Sequence, residues 1–272
     1  MIDPACQRNI KLVIAYNGAA YHGWQRQERG IDTVQERIED AAVAVLGHPV
    51  TVFGAGRTDA GVHAEGQTAN LYTTSFAIPL SGLRRAINSR LPRDIAVVSA
   101  EEAADGFHAS RSAKGKTYRY RIHVGPLRRV GLFKQVYEYG RPLDVERMRQ
   151  AGQRLVGTHD FRGFAQSAEA RENTVRTIYA CEAAEEGEEI RVTVQGNGFL
   201  YNMVRNIVGT LMEVGRGHWG PERIDYVLTS RNRNYAGPTA PPGGLCMMSV
   251  NYPPELMTAY DTNAVNFTPT GR

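Results

Sequence analysis

Short β-rich runs alternate with amphipathic helical runs in both halves of the 272-residue sequence. The first helix has the clearest limits, since Thr33 and Glu36 form a capping box before it and Gly47 follows it. In the first half, strands are predicted at 11–16, 50–53, 68–72 and 95–100, and helices at 34–46 and 80–91. In the second half, strands are predicted at 117–124, 175–182 and 189–195, and helices at 145–155, capped by Asp144, and 203–214.

This alternation predicts the α+β class, with two similar halves sharing a largely antiparallel sheet around a central cleft. We place the N-terminal half at residues 1–105 and the C-terminal half at 106–254. Residues 255–272 lose all periodicity and are predicted to be a surface tail.

Composition favours a cytoplasmic protein. Hydrophobic residues make up 42% of the chain, and no apolar stretch approaches the roughly 20 residues that would span a bilayer. Residues 1–10 make a poor signal peptide, because charged residues and a proline precede any apolar run. The three scattered cysteines, Cys6, Cys181 and Cys246, fit neither a complete disulfide framework nor a zinc site. We therefore expect a reducing compartment and no membrane association.

Positive charge is concentrated between Arg84 and Arg154, where 16 Lys and Arg stand against 7 Asp and Glu. Of the 32 basic residues in the chain, 28 are arginine, whose planar guanidinium suits phosphate oxygens and stacks on bases. A solvated basic face would explain this segment, and so would a surface that binds nucleic acid.

The segment Gly54–His63 contains three glycines in its first eight positions, so its backbone can aim one side chain into a cleft. Asp59 is the candidate for that side chain, and Arg57 stands near enough to keep its carboxylate ionised as a nucleophile or base. The alternative is that Asp59 only makes a local Asx turn.

His63 raises the possibility of an Asp/His hydrolase or a metal site. No carboxylate or histidine stands at ligand spacing around it, which favours a structural or hydrogen-bonding histidine. The chain also contains neither a Walker loop nor a dinucleotide-binding fingerprint. We expect chemistry that uses no metal, nucleotide or redox cofactor.

Two further segments combine cations with apolar or aromatic residues. In Lys116–Ile122, alternation places Tyr118 and Tyr120 on one strand face and arginines on the other, which suits base stacking and phosphate contact. The alternative is an edge strand whose tyrosines lie half in the core, and for Tyr120 we favour that alternative. Arg205 stands in the apolar run 199–212, where it either pairs with a carboxylate such as Asp59 or extends to solvent.

Together these motifs resemble the TruA family of tRNA pseudouridine synthases, which act on uridines 38 to 40 of the anticodon stem-loop. The resemblance extends from about Lys11 to Tyr252 and covers most of the chain. The segments that carry it are 21–27, 54–63, 107–109, 116–122, 158–161, 199–211 and 236–241, together with Leu245.

The resemblance implies a role for five of these residues. Asp59 matches the nucleophile, Tyr118 the tyrosine on which the target base stacks, and Arg205 the arginine that pairs with the catalytic carboxylate. Arg57 matches an arginine that helps to hold the RNA backbone and to flip the base, and Leu245 an apolar residue close to that base.

The resemblance also implies an isomerase with the pseudouridine synthase fold, a basic cleft, tRNA as substrate, a homodimer, and neither cofactor nor metal. One position departs from the family pattern Phe-His-Ala-Arg, because here Ser110 follows Ala109 and the arginine comes one position later. Arg111 is therefore the candidate for the RNA contact at this place.

Three alternatives stay open at this level. The chain could be a non-catalytic tRNA-binding protein of the same fold, a hydrolase that uses Asp59 with His63, or a pseudouridine synthase with a different RNA target. The atom that Asp59 attacks is also open: the sugar C1′, the uracil ring, or a sugar proton.

Overall fold

The computed structural model describes residues 8–75, 77–166, 169 and 171–256. They form five α-helices and ten β-strands, and the strands make up a mostly antiparallel sheet. This confirms the predicted α+β class. Two compact units are present: the described residues of Met1–Ala60, Ala64–Lys114 and Ser249–Arg272, and those of Gly61–His63 and Gly115–Met248. The central cleft and the division at residues 105/106 stay predictions, and most of the proposed tail lies outside the described residues.

The first unit contains four strands and two helices, and only His63, the first residue of β3, belongs to the second unit. The bounds are β1 Arg8–Tyr16, α1 Val34–Leu46, β2 Val52–Gly54, β3 His63–Thr73, α2 Leu80–Asn88 and β4 Ile95–Glu102. Strand β1 pairs antiparallel with both β3 and β4, and β2 pairs antiparallel with β3.

The elements of the second unit are β5 Gly115–His123, β6 Tyr137–Glu138, α3 Val145–Gln153, β7 Gly157–Asp160, β8 Val175–Glu186, β9 Glu189–Gly196, α4 Met203–Gly215 and α5 Arg223–Ser230. The strand order is β5–β9–β8–β7, with antiparallel pairing along this row and the short β6 parallel to β5. Strand β10, Leu245–Asn251, contributes residues to both units.

The predicted capping signals are confirmed. The Thr33 hydroxyl accepts a hydrogen bond from the Glu36 amide at 3.4 Å, and Gly47 ends α1 in the left-handed conformation with φ 76°. The Asp144 carboxylate accepts a hydrogen bond from the Arg147 amide at 3.0 Å and so begins α3.

Two helix ends were predicted wrongly. Helix α2 ends at Asn88, so Leu91 lies beyond it, and the physical reason is Pro92, which disfavours helical angles in the residue before it. Helix α3 ends at Gln153, and Leu155 is buried without being helical.

Helix α4 is the most deeply buried helix of the second unit. Every one of its residues except Arg205 is buried. Within the described ranges, no helix combines the length and the apolar composition needed to cross a membrane.

Candidate active site

The loop that carries Asp59 leaves β2 and is held to β3 by two hydrogen bonds. The Ala55 amide donates to the Thr68 carbonyl at 2.8 Å, and the Gln67 side-chain amide donates to the Gly56 carbonyl at 2.7 Å. The side chain of Gln67 is fully buried, which makes this second bond part of the core. The first three residues of the loop therefore have a fixed path.

The residue before Asp59 is held equally firmly. Thr58 is buried, and its hydroxyl lies 2.8 Å from the phenolic oxygen of Tyr16. Its carbonyl accepts a hydrogen bond from the Trp24 amide at 3.0 Å. Both neighbours belong to the same unit as residues 54–60 of the loop, so the backbone that leads to Asp59 is anchored by the core of that unit.

Two glycines allow this close packing. Gly23 has φ 97°, and a Cβ there would lie 2.6 Å from the Thr58 carbonyl oxygen and 3.2 Å from the Asp59 carbonyl carbon. A Cβ on Gly54 would lie 2.5 Å from the indole nitrogen of Trp24. Since such distances are below van der Waals contact, any larger residue at either position would displace the loop or its support.

The two predicted side chains of this loop differ in exposure. Asp59 is half-buried, whereas Arg57 is exposed. The Arg57 guanidinium donates from Nε to the side-chain oxygen of Gln25 at 3.2 Å. Gln25 in turn donates to Gln35 of α1 at 2.8 Å. Arg57 is thus linked to the first helix.

His63, at the end of this segment, is buried and faces backbone carbonyls. Its Nε2–H donates to the carbonyls of Lys134 at 2.8 Å and Gly243 at 3.2 Å. Burial is the main cause that lowers the pKa of His63, so the neutral form is favoured. These contacts support the structural interpretation of His63. Among the described residues, no cluster of three or more His, Cys, Asp or Glu could hold a metal ion.

In the second unit, β5 alternates as predicted. Tyr118 is 7% exposed and packs edge-on against Phe199, with ring centroids 5.2 Å apart. The prediction that Tyr120 lies half in the core of an edge strand is wrong, because β5 lies between β10 and β9 in the sheet and Tyr120 is fully buried. Its hydroxyl donates to the Pro241 carbonyl at 2.7 Å. Burial raises the pKa of Tyr120 well above its usual value, which keeps that phenol protonated.

Arg205 is half-buried and is oriented by two oxygen acceptors. Its Nε donates to the Ala240 carbonyl at 2.7 Å, and its Nη1 donates to the side-chain oxygen of Asn202 at 2.9 Å. The Ala240 amide returns a hydrogen bond to the Arg205 carbonyl at 3.2 Å. The segment 236–241 therefore fixes both the backbone and the guanidinium of Arg205.

This segment lies directly on α4 because two glycines permit it. A Cβ on Gly209 would lie 1.7 Å from the Pro238 carbonyl oxygen, and one on Gly237 would lie 2.6 Å from the Gly209 carbonyl carbon. The Gly237 amide also donates to the Thr210 hydroxyl at 2.9 Å. Two adjacent carbonyls of the segment thus accept hydrogen bonds from different elements: Ala240 from Arg205 of α4, and Pro241 from Tyr120 of β5.

The remaining two candidates lie at the ends of turns. Leu245 begins β10 and is 6% exposed. Arg111 is exposed, and its amide donates to His108 Nδ1 at 3.4 Å. Burial, and next the charge of Arg111, lower the pKa of His108.

The sequence interpretation missed the residues that support the candidates. Gly23 stands inside the motif 21–27, but nothing in that motif indicates that it packs against Thr58. Asn206, next to Arg205, is fully buried and donates to the Phe164 carbonyl at 2.7 Å. The available signal in the sequence was an asparagine within an apolar helical run, since a side-chain amide that is buried there requires hydrogen-bond partners.

Comparison with known proteins gives a consistent result. A family model described as tRNA pseudouridine synthase matches residues 12–110 and 151–253. These ranges include Asp59, Arg205 and Leu245, whereas Arg111 and Tyr118 lie outside them.

Individual relatives match over nearly their whole length. A protein of Exiguobacterium sp. named tRNA pseudouridine synthase A is 45% identical over 247 residues, 90% of this chain and 98% of the relative. Proteins with the same name from Syntrophotalea carbinolica and Geobacter sulfurreducens are each 43% identical and are covered to 97% and 100%.

Proposed function

The chain belongs to the tRNA pseudouridine synthase family, and we propose that it converts uridines 38, 39 and 40 of the tRNA anticodon stem-loop to pseudouridine. The observation that carries the proposal is the family match across the loop of Asp59 and the helix of Arg205, at 45% identity to a relative of that name.

The reaction is an isomerisation. The N1–C1′ glycosidic bond breaks, the freed uracil turns, and C5 bonds to C1′. The proton on C5 then leaves and N1 gains a proton, so no atom is lost and no electron is exchanged. A stem-loop base inside a helical stack is out of reach, so the uridine must first be flipped out at a cost of a few kcal/mol.

We assign Asp59 the role of nucleophile. Its loop suits that role because the backbone that leads to Asp59 is held by the core, which positions a reacting group without spending substrate binding energy. Arg205, oriented by Ala240 and Asn202, is assigned to keep the catalytic carboxylate ionised.

Tyr118 and the exposed arginines are assigned to the RNA. Tyr118 is assigned to stack on the flipped base and to accept or relay the C5 proton. Leu245 would pack beside that base, and Arg57 and Arg111 would contact the backbone. Both arginines are exposed, as phosphate contacts require.

Two further properties complete the proposal. We expect a homodimer, which the mass of the protein in solution will test, and a cytoplasmic location. The excess of positive charge between Arg84 and Arg154 supports an RNA partner, because each phosphate contact releases counterions.

The decisive experiment uses unmodified tRNA and maps pseudouridine by position. The wild-type chain should modify positions 38 to 40, and Asp59→Asn should lower product formation by at least about 10³-fold while still binding tRNA. Asn keeps the shape of the side chain and removes its charge, so binding serves as the internal control.

Each contrary result has a defined meaning. Product formed by Asp59→Asn at a rate near wild type would contradict the assignment of the nucleophile. Binding without product in the wild-type chain would favour a non-catalytic tRNA-binding protein, and product at other positions would favour a different RNA target.

A further inference from the structure

A cavity of about 270 Å³ in the second unit is lined by arginines and amides. Its charged lining consists of Arg162, Arg231 and Arg233, and its amide lining of Gln166, Asn232 and Asn234. All three arginines lie outside the basic segment 84–154. This cavity is therefore a second concentration of positive charge.

The walls of the cavity are brought together by close backbone packing. Arg162 belongs to the 3₁₀ turn Phe161–Phe164, and Arg233 to the 3₁₀ turn Arg233–Tyr235. Between them, a Cβ on Gly163 would lie 2.5 Å from the Val227 carbonyl oxygen of α5. Since a side chain has no room there, the first turn is held against α5 by backbone contact rather than by flexible side chains.

The arginines of the cavity outnumber the carboxylates that neutralise them. Among the described residues, Asp160 is the carboxylate paired with this set, at 3.2 Å from Nε of Arg231. Arg162 donates to two backbone carbonyls, those of Arg171 and Glu172. The cavity therefore keeps a surplus of positive charge.

Arg233 is the arginine that most needs an anion. Its Nη2 donates to the side-chain oxygens of Asn206 at 2.9 Å and Thr239 at 3.1 Å, and its Nη1 to the Ala236 carbonyl at 3.4 Å. These partners are all neutral, although the guanidinium is partly buried. A partly buried cation whose hydrogen-bond acceptors are all neutral gains favourable electrostatic energy when an anion is placed against it.

The same contacts connect the cavity to the proposed catalytic machinery. Asn206 follows Arg205 on α4, and Thr239 precedes Ala240, which orients the guanidinium of Arg205. Asn206 also donates to Phe164 of the turn that lines the cavity. An anion held by Arg233 would therefore be bound on the framework that supports Arg205.

We infer that this cavity binds a phosphate group of the RNA backbone. Guanidinium groups with neighbouring amides supply the donors that phosphate oxygens accept, and a fixed cavity positions one phosphate without reading a base. The inference rests on the proposed function insofar as the phosphate belongs to an RNA substrate. It adds a contact that orients the RNA relative to the helix of Arg205.

The test measures binding of unmodified tRNA to the full chain over a range of salt concentrations. Arg231→Gln should lower the slope of log affinity against log salt by about 0.9 and weaken binding about five- to tenfold at low salt. Arg231→Lys keeps the charge and should retain the slope. Arg233→Gln should act like Arg231→Gln, but it also removes support from Asn206, so Arg231 provides the decisive variant.

The matched control is Arg216→Gln, which removes a half-exposed arginine of the same unit that is paired with Glu213. It should bind tRNA with the wild-type slope. Wild-type slopes and affinities in both Arg231→Gln and Arg233→Gln would overturn the inference.

A second measurement separates RNA phosphate from free phosphate. Inorganic phosphate is compared with chloride at equal ionic strength by its effect on the melting temperature. Stabilisation by phosphate that Arg231→Gln abolishes, with the tRNA affinity of that variant unchanged, would overturn the assignment to RNA. Pseudouridine formation by the wild-type chain is scored separately, so a failure of the proposed function is distinguishable from a failure of this site.

Discussion

At the scale of single residues, the loop of Asp59 depends on the absence of a side chain at Gly23. Gly23 contacts the backbone at Thr58 and Asp59 so closely that a single added carbon would overlap with it. The chemistry is assigned to Asp59, but the position of Asp59 is set by a residue with no side chain.

We expect Gly23→Ala to displace this loop. The left-handed φ of 97° costs an alanine about 1–2 kcal/mol, and the overlap with Thr58 raises the total to about 3 kcal/mol or more. Pseudouridine formation should fall by a larger factor than tRNA binding, because the overlap lies beside the assigned nucleophile. Chemical denaturation and single-turnover kinetics measure the two effects.

Gly30→Ala is the matched control. Gly30 has φ 96°, and nothing lies within 4 Å of the position that its Cβ would take. This variant should lose only the stability that the backbone angle costs an alanine, and it should keep the wild-type rate of pseudouridine formation. Equal losses of activity in the two variants would contradict the importance of the overlap at Gly23.

The residues assigned to the chemistry could be identified from the sequence more readily than the residues that support them. Asp59 and Arg57 could be selected because the glycines that surround them are visible within ten positions. The contact of Gly23 with Thr58 joins residues far apart in the chain, and no local pattern encodes it.

At the scale of elements, α4 and the 236–241 segment act as one unit of structure. The segment orients Arg205 through Ala240, and its backbone rests on Gly209. Helix α4 thus needs a glycine in its middle, where helix propensity alone would disfavour one.

We expect Gly209→Ala to destabilise the protein by about 1–3 kcal/mol, because its Cβ would overlap with the Pro238 carbonyl oxygen. Catalysis should also fall, since the displaced segment carries the acceptor for Arg205. Denaturant midpoints and turnover rates are the measurements.

Gly82→Ala in α2 provides the opposite case. Its Cβ would make ordinary contacts at 3.7 Å with Ile78, so the gain in helix propensity, up to about 1 kcal/mol, should prevail. A stabilising Gly209→Ala would refute the role of this glycine in holding the segment.

Helix ends that have a capping signal could be predicted closely: Asp144 begins α3, whereas the end of α3 was predicted two residues too far. Helix α1 has the limits that Thr33 and Gly47 indicate. The strands β6 and β7 are two and four residues long, too short for a pattern to emerge, and their pairing is set by β5 and β8. Helix α5 was missed as well, and its N-terminus has no side-chain cap.

At the scale of the whole molecule, the stability of the fold should depend on pH near neutrality. Burial lowers the pKa of both His63 and His108, so the unfolded chain binds more protons than the folded chain below their usual value of 6.5. The free energy of unfolding therefore rises with pH as the two histidines lose their protons, and their contribution is complete above about pH 6.5.

We expect the free energy of unfolding to be smaller at about pH 5.5 than at about pH 7.5. The double variant His63→Gln/His108→Gln should show a weaker dependence, because its replaced groups do not titrate. Denaturant titrations at the two pH values give the comparison.

The control for this effect is His22→Gln, which replaces an exposed histidine. It should keep the wild-type dependence on pH. A double variant as sensitive to pH as the wild-type chain would show that other groups cause the loss of stability in acid.

The distribution of positive charge could be predicted only in part from the composition of the sequence. The excess of arginine between residues 84 and 154 could be counted directly and pointed to a polyanion. The cavity of Arg162, Arg231 and Arg233 could not be found in this way, because turns that are distant in sequence build it. Counting charges along the chain identifies a basic segment, but it cannot identify a basic cavity that forms when separate turns pack together.

The anchoring of the Asp59 loop has a practical consequence. Tyr16 and Trp24 form hydrogen bonds with Thr58, and Gln67 donates to the Gly56 carbonyl. The Ala55 amide donates to the Thr68 carbonyl. A variant silenced at Asp59 should keep its RNA-contacting surface, so it can serve as an affinity reagent that captures unmodified transcripts from a cell extract. Sequencing the captured RNA would then identify the natural targets without any turnover.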